Sequence, residues 1–561
     1  GFLGLTGLSG VPRKNSLPLF IYTLTWFSNL FGGTKQVISV VLTFYPVVIA
    51  LIVSLVMYFA TRKITDDERI ALTTVFTLAL MYTFMFRTSL GYPDHHAFDY
   101  LWMSLTFFSV VYLHGYEGRF SNSRNVGLSV LLGLSLAGQT LSWNASPLIL
   151  APLGFYIAIK VLGDLDGSRS PFWGNVELVS GIGLGALISL AFNQIYGWQS
   201  TFTILSVVLF FGLALSLTCL GHIFNRKDYG PRLMAVTEGV IFVAGVVSVM
   251  TIFSDLMDRF TRGVNELAGE QQQLIIETNS IFSSPVRPLS LFGLFFVLGL
   301  ATLAGLALLE FRQRRNSRML VLIVYGFYFL VMSGIQGRFS GELSLFLAVF
   351  SGVGFIYICS LIDIAEKPAF LEGSQFEGFY AKPTANELVS FGIIFLIIAS
   401  YSLLLTPTLV ESSGITESEY RIVENISEYS EENGVEYPRN YVMSPWDRNR
   451  MYNYFVNGHA HNYTFASNRY GEFLTSEKPK KQYNIFRRHD RNGFVVIYSE
   501  DAENVPKESN YYNLYLGNGS NVRNLNGLYH YRMMYNTGQE RAPKTYFTDD
   551  GYFLNGSAEP G

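Results

Sequence analysis

Twelve apolar stretches dominate the chain, near 37–60, 70–86, 97–114, 126–141, 146–162, 175–193, 200–222, 233–254, 288–309, 319–334, 343–363 and 388–410. Each approaches the length at which a helix, rising about 1.5 Å per residue, crosses about 30 Å of hydrocarbon. A backbone in lipid has to satisfy its own hydrogen bonds, so the expected fold is a multi-pass α-helical bundle. Composition agrees: 49% of the 561 residues are hydrophobic and only 15% charged, where a soluble domain carries about a quarter charged residues. That balance excludes a disordered or fibrous chain and argues against an ordinary soluble enzyme. The net charge of −3 gives no reason to expect a nucleic-acid partner. Cys219 and Cys359 sit far apart in apolar runs and suggest neither a metal cluster nor a disulfide framework.

Orientation follows from the Lys/Arg distribution. Alternate loops carry Arg62, Lys63 and Arg69; Arg119 and Arg124; Arg169; Arg226, Lys227 and Arg232; Arg312, Arg314, Arg315 and Arg318; and Lys367 and Lys382. Those loops are expected on the cytoplasmic side of a cell membrane. Segments 87–97 and 255–287, and everything after 411, then face outward. The piece 17–31 is short, is broken by Ser28 and Asn29, and reads as interfacial. Beyond Pro407 the apolar runs shrink to strand length, at Asn440–Met443, Gly493–Tyr498 and Leu528–Met533. Before them, 417–432 reads as an amphipathic helix with Tyr420, Val423, Ile426 and Tyr429 on one face. The expected organisation is a membrane domain over 37–410 followed by a mixed α/β extracytoplasmic domain over 411–561.

Four short segments carry chemistry. Asp94-His95-His96 stands in an outward loop, where a carboxylate and the imidazole two residues on can share a divalent cation. Such O/N ligation suits Mn²⁺ or Mg²⁺ better than structural zinc. The same residues also read as a polar turn with Asp94 capping the next helix, leaving His95 a bystander or a donor to a bound phosphate. Glu277 follows three apolar residues in the long outward loop, so its carboxylate is either held against protein or simply solvated. Arg338 closes a span, with Glu342 the acidic residue nearby in sequence. Its guanidinium suits a lipid phosphate or pyrophosphate, and equally suits anchoring at the membrane surface. Ser444-Pro445-Trp446-Asp447 follows a strand-like run. Trp446 and Asp447 could line a pocket for a hydroxyl and a methyl, or could form an ordinary buried turn.

Taken in order along the chain, these segments resemble the catalytic subunit of oligosaccharyltransferase in its single-subunit archaeal form, a dolichyl-phosphooligosaccharide-protein glycotransferase. Phe86-Arg87-Thr-Ser-Leu-Gly91 leading into Asp94-His95-His96 is similar to the family's second metal motif. Leu274-Ile-Ile-Glu277 is similar to its Thr-Ile-X-Glu motif, and Gly337-Arg338-Phe339 to its Arg-Phe pair. Pro445-Trp446-Asp447-Arg448-Asn449 stands where the family has Trp-Trp-Asp-Tyr-Gly, and Leu141-Ser142-Trp143 is similar to a Thr-Trp segment before a proline.

The resemblance implies a GT-C-like membrane enzyme of protein N-glycosylation. Its donor would be a lipid-linked oligosaccharide on dolichyl phosphate or pyrophosphate, and its acceptor a protein bearing Asn-X-Ser/Thr. In this chain it implies Asp94 and His96 on a Mn²⁺ or Mg²⁺ ion, Glu277 as the catalytic carboxylate, and Arg338 with His95 on the lipid phosphate. Trp446 and Asp447 would receive the acceptor Ser/Thr. A single-subunit enzyme with no nucleic-acid partner is expected.

The departures from the family pattern are specific. The twelve runs fit family spans two to thirteen, so 1–36 would be a remnant of the first external loop with an interfacial helix. The first metal motif is absent, as is an Asp-X-X-Lys helper motif. Only Trp446 and Asp447 of the five acceptor-motif positions are kept. A single-sugar transferase using a polyprenyl phosphate, a transporter, a non-catalytic relative and an adhesion module are the rival readings. Against a transporter, the spans hold few ionisable residues, Glu238 being the clearest. Attachment to twelve spans argues against an adhesion module.

Overall fold

The computed structural model describes residues 18–92, 95–114, 123–143, 146–252, 279–313, 318–372, 384–413, 415–458, 463–491, 493–499, 506, 508–518, 530–536 and 542–548. The chain forms two compact units, one over Pro12–Val410 and one that contains Glu411–Gly561.

The first unit is helical. Helices Lys35–Thr65, His96–Leu113, Ser123–Ser142, Ser146–Asp166, Val176–Tyr196, Thr201–Arg226, Pro231–Ile252, Arg318–Ile335, Ser340–Leu361 and Ala385–Ser413 cover ten of the apolar runs. The other two runs are divided, where continuous helices were expected. Glu68–Leu80 and Tyr82–Arg87 are parted by Met81, whose ψ of 118° is extended, while Arg287–Phe292 and Phe295–Gln313 are parted at Gly293, with φ 67°. The interfacial piece forms a helix over Pro18–Asn29 that exposes Tyr22, Trp26 and Phe27. Among the described residues, nine helices are long and apolar enough to cross a membrane.

Their outer faces stay apolar, with Phe311 83% and Leu404 77% exposed, which water would penalise and lipid does not. The Ser340–Leu361 helix is central: 83% of its most apolar window is buried, against 11% for the Leu388–Leu405 span at the periphery. Small residues set the closest helix approach. A Cβ on Gly133 would lie 3.0 Å from the Gly181 carbonyl, and one on Gly181 would lie 2.8 Å from the Ser129 carbonyl. Such close backbone contact is what holds helices together where lipid removes the hydrophobic drive. The chain is a multi-pass membrane protein.

The second unit carries a four-stranded sheet in the order β1-β2-β4-β3, with β1 (Val442–Met443), β2 (Phe494–Ile497), β3 (Tyr531–Tyr535) and β4 (Lys544–Thr548). β1 pairs parallel to β2, and the other pairings are antiparallel. β4 was not expected from the sequence, because Lys-Thr-Tyr-Phe-Thr lacks an apolar run; Tyr546 alone fills the core fully, and Thr545 and Thr548 are buried as polar residues. The third strand lies slightly later than the expected Leu528–Met533, whose first residues are outside the described ones.

The helix Glu417–Glu432 is capped by a reciprocal Thr416–Glu419 box. Its buried face is Ile422, Val423 and Ile426; Tyr420, expected on that face, is 56% exposed. Ile422 fills the position because it stands four residues before Ile426, on the same stripe.

Candidate functional site

The site in the membrane unit is built around one buried arginine. Arg87 ends the short helix Tyr82–Arg87, and its Nη1 donates to the backbone carbonyl of Arg338 at 2.7 Å. The same nitrogen reaches the Tyr100 hydroxyl at 3.2 Å and lies 4.0 Å from the Glu342 carboxylate. Arg87, Tyr100 and Glu342 are all buried. Glu342 thus faces Arg87, although Arg338 was its nearest basic residue in sequence. A buried pair of this kind gives weak net stability, but losing one partner strands the other charge. Gly341 makes the arrangement possible, since a Cβ there would collide with the Tyr100 hydroxyl and lie 3.0 Å from Arg87 Nη1.

Arg338 sits in a single turn, Gly337–Phe339, between two long helices. Its guanidinium carbon is 5.1 Å from the Trp143 ring and 5.7 Å from the Phe339 ring, a cation–π setting that limits where the fork can point. Trp143 follows the helix Ser123–Ser142 and is itself buried. His95 also lies near this ring, with centroids 6.4 Å apart.

His95 and His96 open the helix His96–Leu113 with their rings stacked at 4.3 Å. The N-cap position is occupied by His95, so the capping role considered for Asp94 falls one residue late. Asp99, one turn along, brings a carboxylate oxygen to 3.7 Å from His95 Nε2. His95, His96 and Asp99 each offer a ligand atom, and the three atoms lie within 4.8 Å of one another. This donor set of two imidazoles and a carboxylate is chemically fit for a divalent cation. Asp99 was missed in the sequence, although its i+4 spacing from His95 was the available signal. Asp94 and Glu277 lie outside the described residues.

The second candidate region is separate. Trp446 and Asp447 begin the helix Trp446–Asn457 directly after β1, so the expected loop is helical from Trp446 onward; their side chains lie outside the described ones. Asn449 and Asn453 both donate to the Val442 carbonyl at 2.8 Å, and Asn453 Oδ1 accepts the Val442 N–H at 2.9 Å. Two side chains therefore bond the edge of β1 that faces away from β2, where the described residues place no strand. Tyr441 donates to Asn449 Oδ1 at 3.1 Å. Burial pushes the Tyr441 phenol up to about 12. Arg448 pairs with Glu419 at 3.3 Å. Arg448 and Asn449, two departures from the family motif, are thus members of the domain's packing.

No protein-family model matches the chain. Over 366 residues it is 24% identical to dolichyl-phosphooligosaccharide-protein glycotransferase 3 of Archaeoglobus fulgidus, a match spanning 60% of this chain and 41% of that protein. The matched region is thus about two-fifths of the length of that curated relative. Among solved structures, the oligosaccharyltransferase AglB of the same organism, in complex with an inhibitory peptide and a dolichol-phosphate, superposes with TM-score 0.69 at 17% identity, covering 92% of this chain and 71% of that one. An A. fulgidus oligosaccharyltransferase in complex with Zn and sulfate gives TM-score 0.63 at 17% identity, covering 94% and 70%. The chain has the fold of the archaeal oligosaccharyltransferases, as the resemblance in its motifs led one to expect.

Proposed function

We propose that this protein is an oligosaccharyltransferase of protein N-glycosylation. It moves an oligosaccharide from a dolichyl phosphate or pyrophosphate carrier to the Asn side chain of Asn-X-Ser/Thr segments, with inversion. The observation that carries the reading is the gathering of His95, His96 and Asp99 beside Arg338 around the Trp143 ring, within this fold. The similarity to a glycotransferase and to a structure holding peptide and dolichol-phosphate supports it.

An amide nitrogen is a poor nucleophile because its lone pair is delocalised into the carbonyl. Glu277 accepts the acceptor's amide N–H and weakens that delocalisation. Arg338, steadied by Trp143 and by the Arg87 hydrogen bond to its own carbonyl, takes up charge on the departing phosphate. His95 would donate to the phosphate, and His96, with Asp94 and Asp99, would hold Mn²⁺ or Mg²⁺. When bound there, such an ion supplies Lewis-acid neutralisation of the leaving group. Trp446 and Asp447 receive the acceptor Ser/Thr methyl and hydroxyl. Segments 87–97, 255–287 and 411–561 face outward from a cell membrane, where the donor headgroup lies, and one subunit suffices.

The test is transfer from a lipid-linked oligosaccharide extract to a labelled Asn-X-Thr peptide, in membranes, with Mn²⁺ or with EDTA. Glycopeptide formed with Mn²⁺ and abolished by EDTA and by Arg338→Ala is the expected result. Failure to glycosylate the peptide while a single sugar moves from the lipid would replace this reading with the single-sugar transferase.

A further inference from the structure

The turn that carries Arg338 is shaped from outside the helix it follows. The hydrogen-bond ladder of the helix Arg318–Ile335 runs on to Gln336, whose N–H donates to the Met332 carbonyl at 2.8 Å. The next rung would join Gly337 N–H to the Ser333 carbonyl, but another part of the chain takes both groups. Gly337 N–H donates to the Asn279 carbonyl at 3.0 Å, and Ile281 N–H donates to the Ser333 carbonyl at 3.1 Å. One helical bond is thus exchanged for two bonds to a short strap. Gln336 is extended at this point, with φ −137° and ψ 124°, and the chain turns through Gly337–Phe339. A helix end needs such partners, because its last carbonyls have none within the helix.

Side chains anchor the strap as well. Ile281 is fully buried. The Phe282 ring, more than half exposed, lies over the same helix end: a Cβ on Gly334 would come 3.3 Å from it. A turn closes the strap, where Ser283 N–H donates to the Ser280 carbonyl at 3.0 Å. From the opposite flank, Arg87 donates to the Arg338 carbonyl at 2.7 Å. The Gly337–Arg338 dipeptide is therefore gripped at both ends, at its N–H by the Asn279 carbonyl and at its C=O by Arg87. Released from the strap, Gly337 N–H and the Ser333 carbonyl would close one more helical rung. Successive side chains on a helix are about 100° apart around its axis, so that closure would swing Arg338 away from the Trp143 ring.

We infer that residues 279–282 form a positioning strap that stops the helix before Arg338 and aims the guanidinium, with Ile281 and Phe282 as its anchors. Its consequence for transfer rests on the role proposed above for Arg338 at the donor phosphate; the strap itself does not.

The test measures dolichyl phosphate binding to the purified chain and transfer to the labelled Asn-X-Thr peptide. The variants are Ile281→Ala, Phe282→Ala and the conservative Ile281→Val, each alone and combined with Arg338→Ala. Both alanine variants should weaken binding and raise the KM for lipid donor by about fivefold, with kcat nearly unchanged. Ile281→Val should keep the parent values. Because the strap acts through Arg338, neither alanine variant should weaken binding further once Arg338 is alanine. Hydrogen exchange is the second readout: the Ile281 amide should exchange about tenfold faster in both alanine variants, with the amides of 322–332 unchanged. Equal weakening with and without Arg338, or parent-like binding or exchange in the folded alanine variants, would overturn the inference. Should no glycan be transferred at all, the proposed function fails, and binding and exchange still decide the strap.

Discussion

At Gly341 the bundle leaves no room for a methyl group. The added carbon would meet the Tyr100 hydroxyl and press on Arg87, and overpacking of this sort costs about 1–3 kcal/mol. Gly341→Ala should therefore lower both the melting temperature in detergent and the transfer rate, the latter because Arg87 no longer holds the Arg338 carbonyl. Circular dichroism melts and the peptide assay check the two effects separately. Trp143→Leu removes a cation–π contact worth about 1 kcal/mol. It should raise the KM for lipid donor about fivefold with little change in kcat, because Trp143 steadies Arg338 without taking charge itself. Arg338→Ala should lower kcat/KM by about a hundredfold, since charge neutralisation at the leaving phosphate is lost. A loss of kcat with Trp143→Leu as large as that with Arg338→Ala would refute a purely steadying role for Trp143. Arg338, His95 and His96 were legible in the sequence as polar residues set between apolar runs. Arg87's role was not, because its acceptor is a backbone carbonyl 251 residues away.

At the scale of elements, two asparagines of the helix Trp446–Asn457, Asn449 and Asn453, make the hydrogen bonds that a neighbouring strand would make to the outer edge of β1. Asn453→Leu would leave the buried Val442 N–H without an acceptor and remove one of the two donors to its carbonyl. An unsatisfied buried group costs about 1–3 kcal/mol. The variant should lose amide hydrogen-exchange protection at Val442 and Phe494, with the membrane helices unaffected; unchanged protection at β1 would refute the edge role. This element also shows how sequence reading goes astray. Asn449 and Arg448 look like damage to a binding motif, yet Asn449 is buried against β1 and Arg448 is tied to Glu419. β4 escaped notice for a related reason: a strand of two threonines, one tyrosine and one phenylalanine behind a lysine carries no apolar run, and its burial depends on pairing to β2 and β3. The apolar run 70–86 was legible as helix but not as two helices, because Met81 is as good a helix former as its neighbours.

For the whole molecule, the arrangement of Lys and Arg implies a sidedness that labelling can read. In a chain with Cys219 and Cys359 replaced, Glu424→Cys should react with a membrane-impermeant maleimide on intact cells. Asp228→Cys should react only after permeabilisation. Both positions are exposed, so the reverse pattern would invert the topology and move the proposed active face inside.

The sequence alone determined that the chain is a membrane bundle with a mixed α/β portion after it, and it marked the polar segments where chemistry could sit. Those are local properties: the length of an apolar run, the sign of a loop's charge, a turn residue beside a strand. Tertiary structure alone decided that Arg87 pairs with Glu342 and supports Arg338, that Asp99 joins His95 and His96, and that Lys63 and Arg124, from different helices, lie over the Tyr112 ring. Those meetings depend on which helix faces pack together, and helix packing brings residues into contact irrespective of their separation along the chain.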